Sequence, residues 1–306
     1  MFSGRKGAVR LSVIVVISLI VIKIVVAVIT GSLSILAQGI DSFMDLFAVS
    51  ITFLAIHLSA KPADKEHPFG HGKAENIAAI IQAVLIFFAG GAIIYSAVMR
   101  GSDPTELELT EAGIAVMAVS IVASILLFRH LRKVAREEDS MALEANARNI
   151  ATDVYSASAV LIGLVVVRFT GWKIIDDILA GIVALLILKV GIDVLRSSFG
   201  GLVDVKLPEE EEKHIRAAIT EHYGSDVVEF HKLRTRKSGI QRYIDLHLVM
   251  PKHLSVEQAH AMCDHLEKDM KNRLRYTDVT IHVEPCNGKC EFCQLKCDER
   301  KMPKQR

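Results

Sequence analysis

Residues 11–30 read LSVIVVISLIVIKIVVAVIT, and five comparable apolar runs follow before about residue 200. They lie near residues 33–58, 76–99, 111–131, 142–168 and 174–198. A helix needs roughly 20 apolar residues to cross the hydrocarbon layer of a bilayer, so six crossings are expected. Turn-forming residues punctuate the runs: Gly31 after the first, RGSDPTE after the third and FTGWK between the last two. The basic start followed by an apolar core would also suit a secretory signal. The stretch is long, however, lacks a clear small-residue cleavage site and precedes five more spans. A retained first helix is the expectation.

Beyond residue 200 the composition turns charged, as in LPEEEEKHIRAAITEHYG. The expected organisation is a membrane domain over residues 1–205, a water-exposed α/β domain over 206–285 and a cysteine-rich tail over 286–306. The chain is 51% hydrophobic with a formal charge of only +1, so nothing points to nucleic acid as a partner.

Basic residues in the short loops set the expected orientation. Arg5, Lys6 and Arg10 precede the first span, and Lys61, Lys65 and Lys73 lie between the second and third. Arg129, Arg132, Lys133 and Arg136 are placed between the fourth and fifth, against only Arg100, Arg168 and Lys173 on the other side. Both termini are expected in the cytoplasm, with the spans in the plasma (inner) membrane of the cell.

Asp41 and Asp45 sit inside an apolar run, four residues apart, and so share one helix face. A charge at mid-bilayer costs roughly 3 kcal/mol even on the lenient insertion scale, and such residues mark ion pathways. The competing reading is a helix end whose carboxylates reach the interface, but apolar residues flank the pair on both sides. Asn149 and Asp153 repeat the spacing in the fifth span. Two helices that each present two oxygen ligands can surround one divalent cation; neither pair can do so alone. Gln38 and Asn146, three residues before each pair, are within reach of a supporting role, though polar residues near a water-filled cavity need no such explanation.

Between the second and third spans, KPADKEHPFGHGKAEN offers Asp64, His67 and His71. One carboxylate and two imidazoles form a reasonable metal-ligand set; ordinary solvated loop histidines are the alternative. A zinc-protease helix is disfavoured because the glutamate of H-E-x-x-H is missing and Pro68 and Gly70 favour a loop.

Six spans, DxxxD in the second, the matching pair in the fifth and HPFGHGKAE after the second together resemble the cation diffusion facilitator family, from the first span to about Pro285. The resemblance implies a homodimeric exporter of divalent transition metals, not an enzyme, exchanging each cation for protons by alternating access. It implies a transport site at Asp41, Asp45, Asn149 and Asp153, and a loop site at Asp64, His67 and His71. It also implies an intersubunit charge interlock between Lys73 and Asp204. Zinc-moving members typically carry histidine where this chain has Asn149. An all-oxygen site favours manganese over zinc, and the set resembles the manganese-type bacterial members. Manganese is the expected cargo, with zinc or ferrous iron the alternative. Three carboxylates left close together in a poorly solvated pocket take up protons, and a returning metal displaces them, which gives antiport a chemical basis.

The C-terminal domain reads helix, strand, strand, helix, strand, with KSG at the hairpin turn and Ser255 and Gln258 spaced as a capping box. A ferredoxin-like, metallochaperone-like α/β sandwich fits this order. Alternation puts Ile244, Leu246 and Leu248 on the core face, with Asp245 and His247 opposite. It likewise puts Val279, Ile281 and Val283 inward, with His282 and Glu284 outward. The resemblance assigns a cytoplasmic metal site to His231, His247, His260, His282 and Glu284, whose filling would tighten the dimer.

Four of the five cysteines, Cys286, Cys290, Cys293 and Cys297, crowd the tail. A reducing cytoplasm disfavours structural disulfides there. A zinc or other soft-metal site, a redox or free-thiol tail and an iron–sulfur cradle all remain open. Two other function classes compete with transport: an uncoupled metal channel or sensor, and an intramembrane hydrolase. The last is disfavoured because four protein oxygens leave little room for an activated water.

Overall fold

The structure, a computed structural model, describes residues 4–30, 33–100, 111–170, 174–222 and 227–286. It divides into two compact units, Met1–Leu202 and Val203–Arg306.

The first unit is built from six long helices: α1 Gly4–Thr30, α2 Leu33–Ser59, α3 Ala74–Arg100, α4 Glu111–Glu137, α5 Met141–Thr170 and α6 Ile174–Leu202. Several run past the apolar segments that announce them. The basic cluster Arg129, Arg132, Lys133 and Arg136, expected in a loop, instead sits on α4. Arg, Lys and Glu are good helix formers, so the helix continues after its apolar content ends. It stops where Asp139 turns left-handed at φ +56 and Ser140 donates its N–H to the Ala135 carbonyl, a six-to-one closure that ends helices. Ser140 then opens α5, its hydroxyl accepting from the Leu143 N–H at 3.4 Å.

Among the described residues, Gly4–Val26, Ala74–Tyr95 and Ile114–Glu137 are long and apolar enough to cross a membrane. Leu54, Phe88, Leu126 and Leu185 lie exposed on the outer faces of their helices. Such apolar surface is what lipid covers.

Inside the bundle, small residues let helices approach closely, as in membrane proteins generally. Ala8, Val9, Ala55, Ile56, Leu131, Ala142, Leu143 and Ala147 form one core that joins α1, α2, α4 and α5. Ala79, Ala83 and Ile86 of α3 meet Ala145 of α5 and Ile187 and Val194 of α6 in a second. The α3–α6 contact admits no side chain at Gly201, where an added Cβ would lie 2.1 Å from Asn76 Nδ2.

One polar knot sits among these helices. Glu75, 0% exposed, accepts hydrogen bonds from Arg5 Nη1 at 2.6 Å, from Ser59 Oγ at 3.0 Å and from the Ser140 hydroxyl. The starts of α1 and α3, the end of α2 and the α4–α5 turn thus converge on one carboxylate.

The second unit has the order α7 Glu209–Thr220, β1 Glu229–Ser238, β2 Gln241–Met250, α8 Val256–Arg273 and β3 Thr277–Pro285. Among the described residues its sheet runs β1-β2-β3, antiparallel between the first two strands and parallel between the last two. Gly239, at φ +61, starts the two-residue hairpin turn between the paired Ser238 and Gln241, as a tight turn of this hand requires. The capping box forms: Ser255 Oγ accepts from the Gln258 N–H, and the Gln258 side chain accepts from the Ser255 N–H. Ile244, Leu246 and Leu248 pack with Ile215 and Ile219 of α7 and Leu266 and Met270 of α8. Both helices therefore cover the same face of the sheet. The expected alternation weakens along β3: Val279 is buried, but Val283 is 37% exposed. That strand is the sheet edge, with a neighbour on one side only.

Candidate metal sites

In the helical unit, Asp45 of α2 and Asp153 of α5 line one cavity of about 90 Å³, room enough for water or an ion. Its remaining polar lining is Lys23 of α1, Ser42 of α2 and Ser120 and Ser124 of α4; Val16, Leu19, Ile121, Leu127, Ile150 and Val154 supply apolar walls. Asn149, one turn before Asp153, is buried at 8% exposure but is not among the lining residues. The Asp41 and Gln38 side chains lie outside the described residues. Asn146 is fully buried, its amide nitrogen donating to Ser12 Oγ at 3.4 Å while its carbonyl oxygen has no protein partner among the described residues.

The loop before α3 folds back on Asp64. Its Oδ1 accepts from the backbone N–H groups of Glu66 at 3.0 Å and His67 at 2.7 Å, and lies 3.2 Å from His67 Nδ1; Oδ2 lies 3.5 Å from His71 Nε2. These hydrogen bonds, the His67 N–H foremost, hold the Asp64 carboxyl below its ordinary range. Pro68 and Gly70 occupy the second and fourth places of a turn closed by Gly70 N–H donating to the His67 carbonyl at 2.9 Å, the places these residues favour. One ligand atom from each of Asp64, His67 and His71 falls within 4.8 Å of the others. Lys73, at the end of this loop, donates from Nζ to the Leu202 carbonyl at 3.1 Å.

In the second unit, His231, His247 and His282 stand in one row across the three strands, as direct register partners. Ring centroids are 5.4 Å apart for the first two and 4.6 Å for the last two. Glu284, two residues beyond His282, lies 2.6 Å from His247 Nδ1 and 3.3 Å from His231 Nε2. The hydrogen bond from His247, with the nearby His231, holds the Glu284 carboxyl below its ordinary range. His231, His247 and Glu284 bring three ligand atoms within 4.8 Å of one another. His282 lies at the margin, its Nε2 3.9 Å from Glu284. His260 stands apart in the single chain: it is on α8, 75% exposed, with Nε2 3.9 Å from Asp264 Oδ1. The sheet separates that helix's packing face from the histidine row.

His231 joins the row through a β-bulge. Between His231↔His247 and Arg234↔Asp245, β1 advances three residues while β2 advances two, and Lys232 takes φ +52. Bulges re-aim side chains in this way and gather near functional sites. Phe230 and Leu233, on either side of the irregularity, both pack on the core.

Comparison with known proteins then decides the family. Residues 9–203 match the cation efflux transmembrane domain, and residues 207–286 match the cation efflux protein cytoplasmic domain. The chain belongs to the cation efflux family. It is 35% identical over 270 residues to the cation-efflux pump FieF of Salmonella typhi, covering 88% of this chain and 89% of that one. It is 33% identical over 257 residues to an uncharacterised transporter of Synechocystis, covering 84% and 83% respectively. Among solved structures, the metal-bound C-terminal domain of the CzcD transporter from Thermotoga maritima is 30% identical, covering 25% of this chain and 87% of that one, with a TM-score of 0.24. Cation efflux proteins are membrane transporters rather than enzymes, and the second family domain is a dimerisation domain.

In the tail of this cation efflux protein, Cys286 is half-buried and donates its N–H to the Met250 carbonyl at 2.8 Å, extending the strand ladder. Cys290, Cys293 and Cys297 lie outside the described residues. Cys263 is buried on α8, and burial pushes its thiol up. Sequence reasoning missed three participants: Lys23 in the cavity wall, Glu75 at the helix junction and the bulge at Lys232. An isolated lysine within α1 was a legible signal for the first. The bulge had none, because β1 contains no glycine to mark a left-handed residue.

Proposed function

We propose that the chain exports a divalent transition metal, manganese in preference to zinc or ferrous iron, in exchange for protons and as a homodimer. Asp41, Asp45, Asn149 and Asp153 form the transport site in this reading. The observation that carries it is that Asp45 and Asp153, contributed by different helices, line one small cavity. Their carboxylates attract a divalent ion strongly in a medium of low dielectric, and an amide oxygen from Asn149 in place of imidazole keeps the set hard. With the metal gone, repulsion among the carboxylates favours their protonation, so metal entry expels protons.

Asp64, His67 and His71 form an auxiliary site before α3, and the histidine row with Glu284, joined by His260, forms a cytoplasmic site whose filling tightens the dimer. Lys73 and Asp204 pair between subunits. All six long helices cross the membrane with both termini in the cytoplasm, and the second unit is of ferredoxin-like type. The tail cysteines hold zinc or another soft metal.

The test uses the full chain in proteoliposomes with a manganese gradient and a proton-sensitive dye inside. Wild type moves manganese and protons in opposite directions. Asp45→Ala combined with Asp153→Ala abolishes both fluxes. Full manganese flux in that variant defeats the site assignment. Flux without proton movement favours the uncoupled channel instead, and zinc outpacing manganese defeats the selectivity.

A further inference from the structure

Lys23 is the only charged residue between Arg10 and Asp41, and it lines the same cavity as Asp45 and Asp153. Its ammonium donates to Ser42 Oγ at 2.7 Å. Ser42 is 3% exposed and follows Asp41 in sequence. Among the described residues lining the cavity, Lys23 is the sole cation. The cavity lining also carries Ser120, whose buried hydroxyl has no protein partner among the described residues. A lysine in an apolar helix is costly in a bilayer unless its charge is answered, and such residues belong to ion pathways.

We propose that Lys23 is a release-promoting residue of transport: a tethered cation that shares the carboxylate field with the metal and weakens its hold. This rests on the transport-site reading above. Coulomb repulsion between an ammonium and a divalent ion falls off slowly in a poorly solvated cavity. A site with several carboxylates and no internal cation would bind a divalent ion tightly and surrender it slowly. With Lys23 present, the carboxylates keep a positive neighbour after the ion departs, so departure leaves less uncompensated negative charge. The hydrogen bond to Ser42 fixes the ammonium at the α2 wall, beside the helix that bears Asp45. Lys23 therefore trades affinity for turnover.

Full-length protein is purified and reconstituted as wild type, Lys23→Gln and Lys23→Arg. Equilibrium binding of manganese is measured in detergent, and initial transport rates are measured in vesicles. Removing the charge is expected to tighten manganese binding at least tenfold and to lower the maximal transport rate at least fivefold, so KM and kcat fall together. Arginine keeps both values within about threefold of wild type. Unchanged or weaker binding in Lys23→Gln overturns the proposal. A purely structural role would weaken binding and would not be rescued by arginine.

Lys23→Cys avoids dependence on one fold-sensitive substitution. The same protein is reacted with an aminoethyl or an ethyl methanethiosulfonate, with equally treated wild type as control for the native cysteines. The positively charged adduct should bind manganese more weakly than the neutral one, and equal affinities defeat the proposal. Asp45→Ala, measured alongside, separates the two levels of inference. If it keeps wild-type binding, the site assignment fails; if it loses binding while Lys23→Gln shows no tightening, only the role of Lys23 fails.

Discussion

Arg5 and Glu75, 70 positions apart, meet through a 2.6 Å hydrogen bond between Nη1 and Oε1, with the carboxylate wholly enclosed. Ser59 and Ser140 add their hydroxyls to the same group. A charge without this neighbourhood would be expensive at such a position. The pair therefore holds helix ends together only as a complete set.

Removing one partner should be severe. Glu75→Ala leaves the half-buried Arg5 guanidinium and the Ser59 and Ser140 hydroxyls without their shared acceptor, which costs at least about 1–3 kcal/mol. Glu75→Gln keeps one acceptor oxygen and the shape of the side chain, and should lose less. Thermal unfolding of the purified full chain, followed by intrinsic fluorescence, gives the order wild type, Gln, Ala; an Ala variant melting with wild type would show that the knot does not hold the bundle.

Replacing Asn149 with histidine tests the selectivity. The substitution exchanges an amide oxygen for an imidazole nitrogen, a softer donor that suits zinc. Competition between zinc and manganese for uptake into vesicles should move toward zinc by roughly tenfold, the equivalent of about 1.4 kcal/mol. A shift toward manganese would contradict the oxygen-ligand reasoning.

A pH dependence follows from the end of α8. Arg273 grips Glu221 through two hydrogen bonds, at 3.0 and 2.5 Å, and this holds the Glu221 carboxyl below the ordinary carboxylate range. A carboxyl whose folded pKa is depressed adds stability above its unfolded pKa and loses that stability as pH falls through the folded value. Glu221→Gln should therefore melt below wild type at pH 6, and the gap should close as the pH is taken below about 4.5. A gap that stays constant across this range would contradict the assignment.

The left-handed Lys232 makes its own prediction. A non-glycine residue there carries a penalty of about 1–2 kcal/mol, of which glycine would relieve part while adding unfolded-state entropy. Lys232→Gly should be more stable by about 0.5–1 kcal/mol, with manganese or zinc binding by the His231 and His247 cluster unchanged. Denaturant unfolding of the full chain and metal titration supply the two readouts.

Much of this architecture could be read before any coordinates. Apolar runs gave the helices, because burial and helical periodicity are local properties of sequence; of the paired oxygen ligands, Asp45 and Asp153 line one cavity. Ser255 with Gln258 and the KSG turn were equally legible, each being chemistry within a few residues. Helix ends were not: α4 continues through Arg129 to Arg136 because charge does not stop a helix. Nor was the partnership of Arg5 with Glu75, which depends on four helix ends meeting in space. Val283 escaped its expected burial because alternation cannot say which strand lies at an edge. Alternation turned His247, His282 and Glu284 outward and the family resemblance grouped them with His231 and His260, but the row across three strands needed the register.

One surplus residue in β1 decides which way His231 looks. Keep every residue but pair the strand without the irregularity, and strict two-fold periodicity counted back from Arg234 would carry the imidazole through the sheet to the oily side while Phe230 swung out to water. The domain's chemistry is thus written in the parity of a short segment rather than in its composition. A related chain one codon shorter there could hold the same row with a plain ladder, whereas one of this length that paired without the irregularity would turn His231 away from a visiting ion.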